Sequence, residues 1–62
     1  MEVKIVHRGK YRVYLNRVLV ETLSLPLIAY QSAINYIPLR YRALRIEKWI
    51  SDYELLITVK EN

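Results

Sequence analysis

From Glu2 to Thr22 apolar and polar side chains alternate with period two, in runs rich in Val, Ile, Tyr and Leu. Few folds accept such a segment. Alternation half-buries each strand, so the segment predicts antiparallel strands with one face turned to a core. Gly9 is the only glycine in the chain, and it marks a turn at Arg8-Gly9-Lys10. A three-residue loop there sets His7 opposite Tyr11, Ile5 opposite Val13 and Val3 opposite Leu15, all on one apolar face. A two-residue loop would set Ile5 opposite Arg12 and break the pattern. A second turn is expected at Asn16-Arg17, with Arg17 at a positive φ that suits glycine better. It pairs Leu15 with Val18, Val13 with Val20 and Tyr11 with Thr22. On the other face it pairs Tyr14 with Leu19 and Arg12 with Glu21, a cross-strand ion pair.

A helix is expected next. Ser24 is the candidate N-cap and Pro26 lies in the first turn, where its missing N–H costs nothing. Leu27, Tyr30, Ile34 and Ile37 recur at helical spacing, with Gln31, Ser32 and Asn35 opposite them. Pro38 should end the helix at Ile37. Beyond it, Tyr53, Leu55, Ile57 and Val59 alternate with Glu54, Leu56, Thr58 and Lys60. A hairpin turning at Ser51-Asp52 sets Ile50 opposite Tyr53, Ile46 opposite Ile57 and Leu44 opposite Val59. The other face then carries Trp49 with Glu54 and Arg45 with Thr58. A second helix over residues 38–50 also fits the spacing of Leu39, Ala43, Ile46 and Ile50. The hairpin is favoured, because the last strand needs a neighbour and Ser-Asp is turn chemistry. The expected fold is α+β: a small antiparallel sheet in the order βββαββ, with one helix packed on one face.

Size sharpens what that sheet needs. A chain of 62 residues reads as a single domain, 1–62, and hides only about 60% of its unfolded surface. Small domains often make up the deficit with disulfides, metals or partners. Cysteine is absent and His7 is the sole histidine, so neither a disulfide nor a metal site is expected. What remains is an apolar sequence, at 53% hydrophobic residues, and self-association, so a homodimer is expected. No segment approaches the roughly 20 apolar residues of a membrane span, and no signal peptide is evident. A cytoplasmic protein without membrane attachment is the resulting expectation.

The net charge of +4 falls in two blocks. Lys4, Arg8, Lys10, Arg12 and Arg17 face only Glu2 within the first twenty residues, and Arg40, Arg42, Arg45 and Lys48 face only Glu47. Such blocks suggest a polyanion, although many small basic domains have none. A lone helix covers one face of the sheet. The register leaves Lys4, Val6, Arg12, Tyr14, Leu19, Glu21, Arg45, Glu47, Trp49, Leu56 and Thr58 on the other. Rings among cations suit single-stranded nucleic acid, whose bases stack while its phosphates meet Arg and Lys. The expected site is therefore Lys4, Arg12, Tyr14, Arg40, Arg42, Arg45 and Trp49, with the Arg40–Arg45 segment as a phosphate contact. The alternative is a protein-interaction module, such as a phage or viral inhibitor, that docks on an acidic protein surface through the same residues.

An enzyme is not expected. His7 sits on the apolar face with no nucleophile beside it, and Glu47 and Glu54 have no pocket to shift their acidity. One glycine cannot build a phosphate loop, and no cofactor is implied.

Overall fold

The computed structural model describes residues 1–60. Strands β1 (Glu2–Arg8), β2 (Lys10–Leu15) and β3 (Val18–Leu23) form a meander. Helix α1 (Pro26–Asn35) follows, then a 3₁₀ segment, Leu39–Leu44, and the hairpin β4 (Ile46–Ser51) and β5 (Glu54–Thr58). Five strands make one antiparallel sheet in the order β3-β2-β1-β5-β4. The α+β expectation holds. Residues 38–50 divide between the two readings considered for them, with a short 3₁₀ segment first and a strand after it.

The first turn matches its expected register, with His7 opposite Tyr11, Ile5 opposite Val13 and Val3 opposite Leu15. Gly9 has φ +81°, and a Cβ there would meet nothing within 4 Å. Its backbone angle, not crowding, is what calls for glycine. At the second turn Asn16 and Arg17 both have positive φ, 48° and 70°. Asn16 secures that turn to β1, since its Oδ1 accepts from the Glu2 N–H at 2.9 Å and its own N–H donates to the Glu2 carbonyl at 2.8 Å. Arg17 holds a left-handed conformation that glycine adopts freely. Arg17→Gly should stabilise the fold by about 0.5–1 kcal/mol, read as a higher urea midpoint at unchanged slope. An unchanged midpoint would contradict this.

Beyond Tyr14 the β2–β3 register differs from the expected one. A bulge at Val20 shifts the pairs to Val13–Glu21, Arg12–Thr22 and Tyr11–Leu23. The physical reason is apolar. With the extra residue, both Val20 and Leu23 pack against the core, where the regular register would have sent Leu23 to solvent. Glu21 consequently turns to the helix side, accepts a hydrogen bond from the Ser32 hydroxyl and does not oppose Arg12.

Helix α1 begins one residue later than Ser24 would place it. Leu25 is the cap, extended at φ −113° and ψ 135°, with no side-chain hydrogen bond. Proline dictates this, because the residue before it is pushed out of the α region. The buried residues of α1 are Ala29 and Ala33. Tyr30 and Ile34 flank them, while Leu27 is 66% exposed. The contact stripe is therefore rotated from the expected one toward small side chains, which let the helix lie close to the sheet. The core is Val3, Ile5, Val13, Ala33, Ile37, Leu55, Ile57 and Val59. Because α1 packs on β1, β2 and β3, the helix side of the β4–β5 hairpin is left partly open.

That hairpin also departs from expectation by one residue. Its turn is Asp52-Tyr53, with Ser51 opposite Glu54 and a bulge at Ile50. The Ser51 hydroxyl accepts from the Tyr53 N–H at 3.4 Å and donates to Glu54 at 3.3 Å, so serine initiates the turn and does not occupy its centre. Trp49 now opposes Leu55, Glu47 opposes Ile57 and Ile46 opposes Thr58. The bulge shifts β4 by one residue against β5, which exchanges the faces of the β4 side chains while those of β5 keep theirs. Leu44, expected opposite Val59, lies in the 3₁₀ segment and is exposed.

Candidate nucleic-acid interface

The helix-free face carries a shallow groove of about 600 Å³ across β1 and β2. Four cations line it: Lys4, Arg8, Arg12 and Arg17. Tyr14 and Tyr53 also border it, and Val6 and Glu54 complete it. Period two explains the arrangement. Lys4, Val6 and Arg8 are alternate residues of β1, and Lys4 pairs with Tyr14 while Val6 pairs with Arg12. The same face continues across the sheet through Leu56, opposite Lys4, to Lys48, opposite Leu56.

Cations and rings meet here directly. The Arg8 guanidinium lies 4.5 Å from the Tyr53 ring centroid, and the Lys4 ammonium 5.8 Å from that of Tyr14. Glu54 is the carboxylate in the groove and bridges Lys4 at 3.4 Å. Arg12 donates to the Arg8 carbonyl at 3.0 Å, an exposed bond. Arg17 is 85% exposed and only 3.8 Å from Glu2, a pair that solvent screens to little. The groove is thus a band of weakly committed cations bordered by two tyrosines.

Three of the seven expected site residues, Lys4, Arg12 and Tyr14, lie in this groove. The others do not. Trp49 is on the helix side of β4, opposite Leu55, because of the hairpin slip. Arg42 caps α1: its guanidinium donates to the carbonyls of Ile37 at 2.9 Å and Asn35 at 3.4 Å, at a helix end that otherwise leaves acceptors bare. Arg45 donates to Glu47 at 2.7 Å, to the Arg42 carbonyl at 2.7 Å and to the Tyr30 hydroxyl at 3.2 Å. Those bonds raise the Arg45 pKa, with Glu47 the largest cause. Burial alone would raise the pKa of Glu47, but hydrogen bonds from Tyr30 and Arg45 outweigh it and leave the carboxylate below its usual range. Arg40 is exposed on the 3₁₀ segment with its guanidinium over the adjacent Tyr41 ring, 4.9 Å away. The Arg40–Arg45 segment therefore braces the junction between α1 and β4 and is not part of the groove.

Arg8, Arg17, Lys48 and Tyr53 were not among the expected site residues. Arg8 was legible, since it continues the parity of Lys4 and Val6 on β1. Tyr53 and Lys48 depended on the hairpin register.

No group of three or more His, Cys, Asp or Glu residues that could hold a metal occurs among the described residues. None of their helices is long and apolar enough to cross a membrane. No family model matches the chain, and no curated protein or solved structure matches it.

Proposed function

We propose that this chain is a non-enzymatic binding protein that holds single-stranded nucleic acid across the helix-free face of its sheet. The observation that carries the reading is the groove itself, with four cations and two tyrosines against one carboxylate already bridged to Lys4. The cations meet phosphates. Tyr14 and Tyr53 offer faces to bases, worth about 1–3 kcal/mol for each base stacked. Nothing in the groove resembles a base-edge reader held in fixed geometry, so the binding is tolerant of sequence. This role belongs in the cytoplasm.

Titrating a labelled mixed-sequence oligonucleotide at several salt concentrations tests it. Four phosphate contacts to a single strand give a log K against log salt slope of about −3. Inorganic polyphosphate should compete for the cations without quenching tyrosine emission, whereas the oligonucleotide quenches it by stacking. A slope near zero rejects the reading. Salt dependence without tyrosine quenching would indicate instead an acidic protein surface as the partner.

The same proposal includes a homodimer. β4 lies at a sheet edge and exposes Ile46, Trp49 and Ile50, apolar side chains divided between its two faces beside unpaired backbone groups. Antiparallel addition of β4 from a second copy extends the sheet and the cationic face together. Of the two charges on that strand, Glu47 is bonded to Tyr30 and Arg45, which leaves Lys48 to oppose such pairing. Light scattering at micromolar concentration should give twice the mass of one chain, and Lys48→Ala should tighten the dimer. A monomer's mass for both proteins rejects it.

A further inference from the structure

On the helix side of the sheet, the open half beside α1 forms a cleft of about 290 Å³ between the start of the helix and the β4–β5 hairpin. Rings wall it. His7 and Tyr11 stack with centroids 3.9 Å apart and planes 9° from parallel. Tyr30, Trp49 and Tyr53 complete the aromatic lining, and Ile5 and Leu55 supply aliphatic surface. Trp49 is 64% exposed, so its indole is not absorbed into the core.

Charge decides what the cleft can take. The chain has ten Lys and Arg residues against six Asp and Glu, yet no Lys or Arg lines this cleft, and its acidic residue is Asp52. Aromatic faces present negative potential, and one carboxylate adds to it, so an anion is disfavoured and a cation favoured. Tyr30 strengthens this, because its hydroxyl donates to the Glu47 carboxylate, which polarises the ring toward greater electron density. Arg45 contacts the same hydroxyl, but its charge is neutralised by Glu47 at 2.7 Å. Tyr53 already engages one cation, Arg8, by this type of contact.

A bare ammonium holds its water tightly and a guanidinium carries five N–H donors, so each asks for more acceptors than the Asp52 carboxylate and the tyrosine hydroxyls offer among mostly ring and aliphatic surface. A methylated ammonium spreads its charge over carbon, sheds water readily and packs against rings. We infer that the cleft is an aromatic cage for a methylated ammonium head group, with Trp49, Tyr11 and Tyr30 as walls and Asp52 as counter-charge. Tyr53, in the hairpin turn, borders both sites, but the three walls and Asp52 do not line the cationic groove, so the cage stands whether or not that groove binds nucleic acid.

The test follows the backbone and indole N–H signals of the full chain by NMR during titration with choline and with 3,3-dimethyl-1-butanol, its neutral carbon isostere. Choline should bind at least tenfold more tightly and shift the Trp49 indole signal. A short peptide carrying trimethyllysine, compared with its unmethylated form, then distinguishes a peptide-borne head group from a free one; preference for either methylated source supports the cage. Trp49→Ala should lose tenfold or more in affinity, and its exposed position spares the fold. Asp52→Asn should weaken choline and leave the alcohol unchanged. Equal binding of choline and the alcohol, no binding of either methylated probe, or full affinity in Trp49→Ala would each overturn the inference.

Discussion

Changing Arg8 and Arg12 together to glutamate should weaken oligonucleotide binding by about a hundredfold or more at low salt. At about 0.1 M salt each phosphate contact with a single strand contributes roughly fivefold through counterion release, so two lost contacts account for about 25-fold. The rest comes from repulsion, because two carboxylates would stand where phosphates approach. The salt slope should fall from about −3 toward about −1. Both residues are on the strand surface around the glycine turn, and Arg12's bond to the Arg8 carbonyl is exposed, so stability should change by no more than about 1 kcal/mol. Arg42→Gln is the matched control. It removes the donor that caps α1 and should cost about 1 kcal/mol of stability with the salt slope intact. If the Arg8/Arg12 variant binds like the parent, the cationic groove is not the interface.

Ile57→Ala should produce the largest loss of stability. Ile57 is fully buried in β5, opposite Val3 on one side and Glu47 on the other. Truncation leaves a cavity in a closely packed core and costs about 2–5 kcal/mol. A chain of this length has only about 3–9 kcal/mol in total, so the melting temperature should drop by at least about 10 °C and the variant should be partly unfolded when warm. Ile46→Ala separates this register from its neighbour. Ile46 is 67% exposed and faces Thr58, so its truncation should change stability by about 0.5 kcal/mol at most. Had the hairpin turned at Ser51-Asp52, Ile46 would pack on Ile57 and the two substitutions would cost similar amounts. Equal losses in circular-dichroism melts would therefore restore the other register.

These two comparisons mark where the fold could be read from residues and where it could not. Gly9 carried enough turn chemistry to set β1 against β2 correctly, Asn16-Arg17 set the first two pairs of β2 with β3, and Pro26 and Pro38 bracketed the helix. What escaped was two single-residue bulges. Alternation predicts parity well until a residue is inserted, after which every later side chain changes face, as Glu21 and Trp49 did. Each bulge left a trace. Leu23 breaks the alternation of Val18 and Val20, since a regular strand would bury Thr22 and expose the leucine. At the hairpin, Ser-Asp composition marks the turn, but the Ser51 hydroxyl serves as its first acceptor and not as its centre. The candidate site inherited both outcomes. Lys4, Arg12 and Tyr14 depend only on the β1–β2 register and kept their face, whereas Trp49 and Arg45 depend on β4 and lost it. Arg42 illustrates a different limit: a helix end whose bare carbonyls need a donor recruits the nearest arginine, and local charge density gives no sign of that.

The strand order β3-β2-β1-β5-β4 puts the earliest strand in the middle of the sheet. The meander and α1 can assemble while β1 still lacks its second neighbour, so the folding chain carries an open strand edge at its centre until residues beyond Glu54 dock. The C-terminal hairpin then closes that edge, with the Val59 N–H donating to the Met1 carbonyl at 3.0 Å and so joining the two ends of the described chain. Completion is thus a late, long-range event, and chains in which β5 has not yet docked should be the ones that chaperones and proteases find.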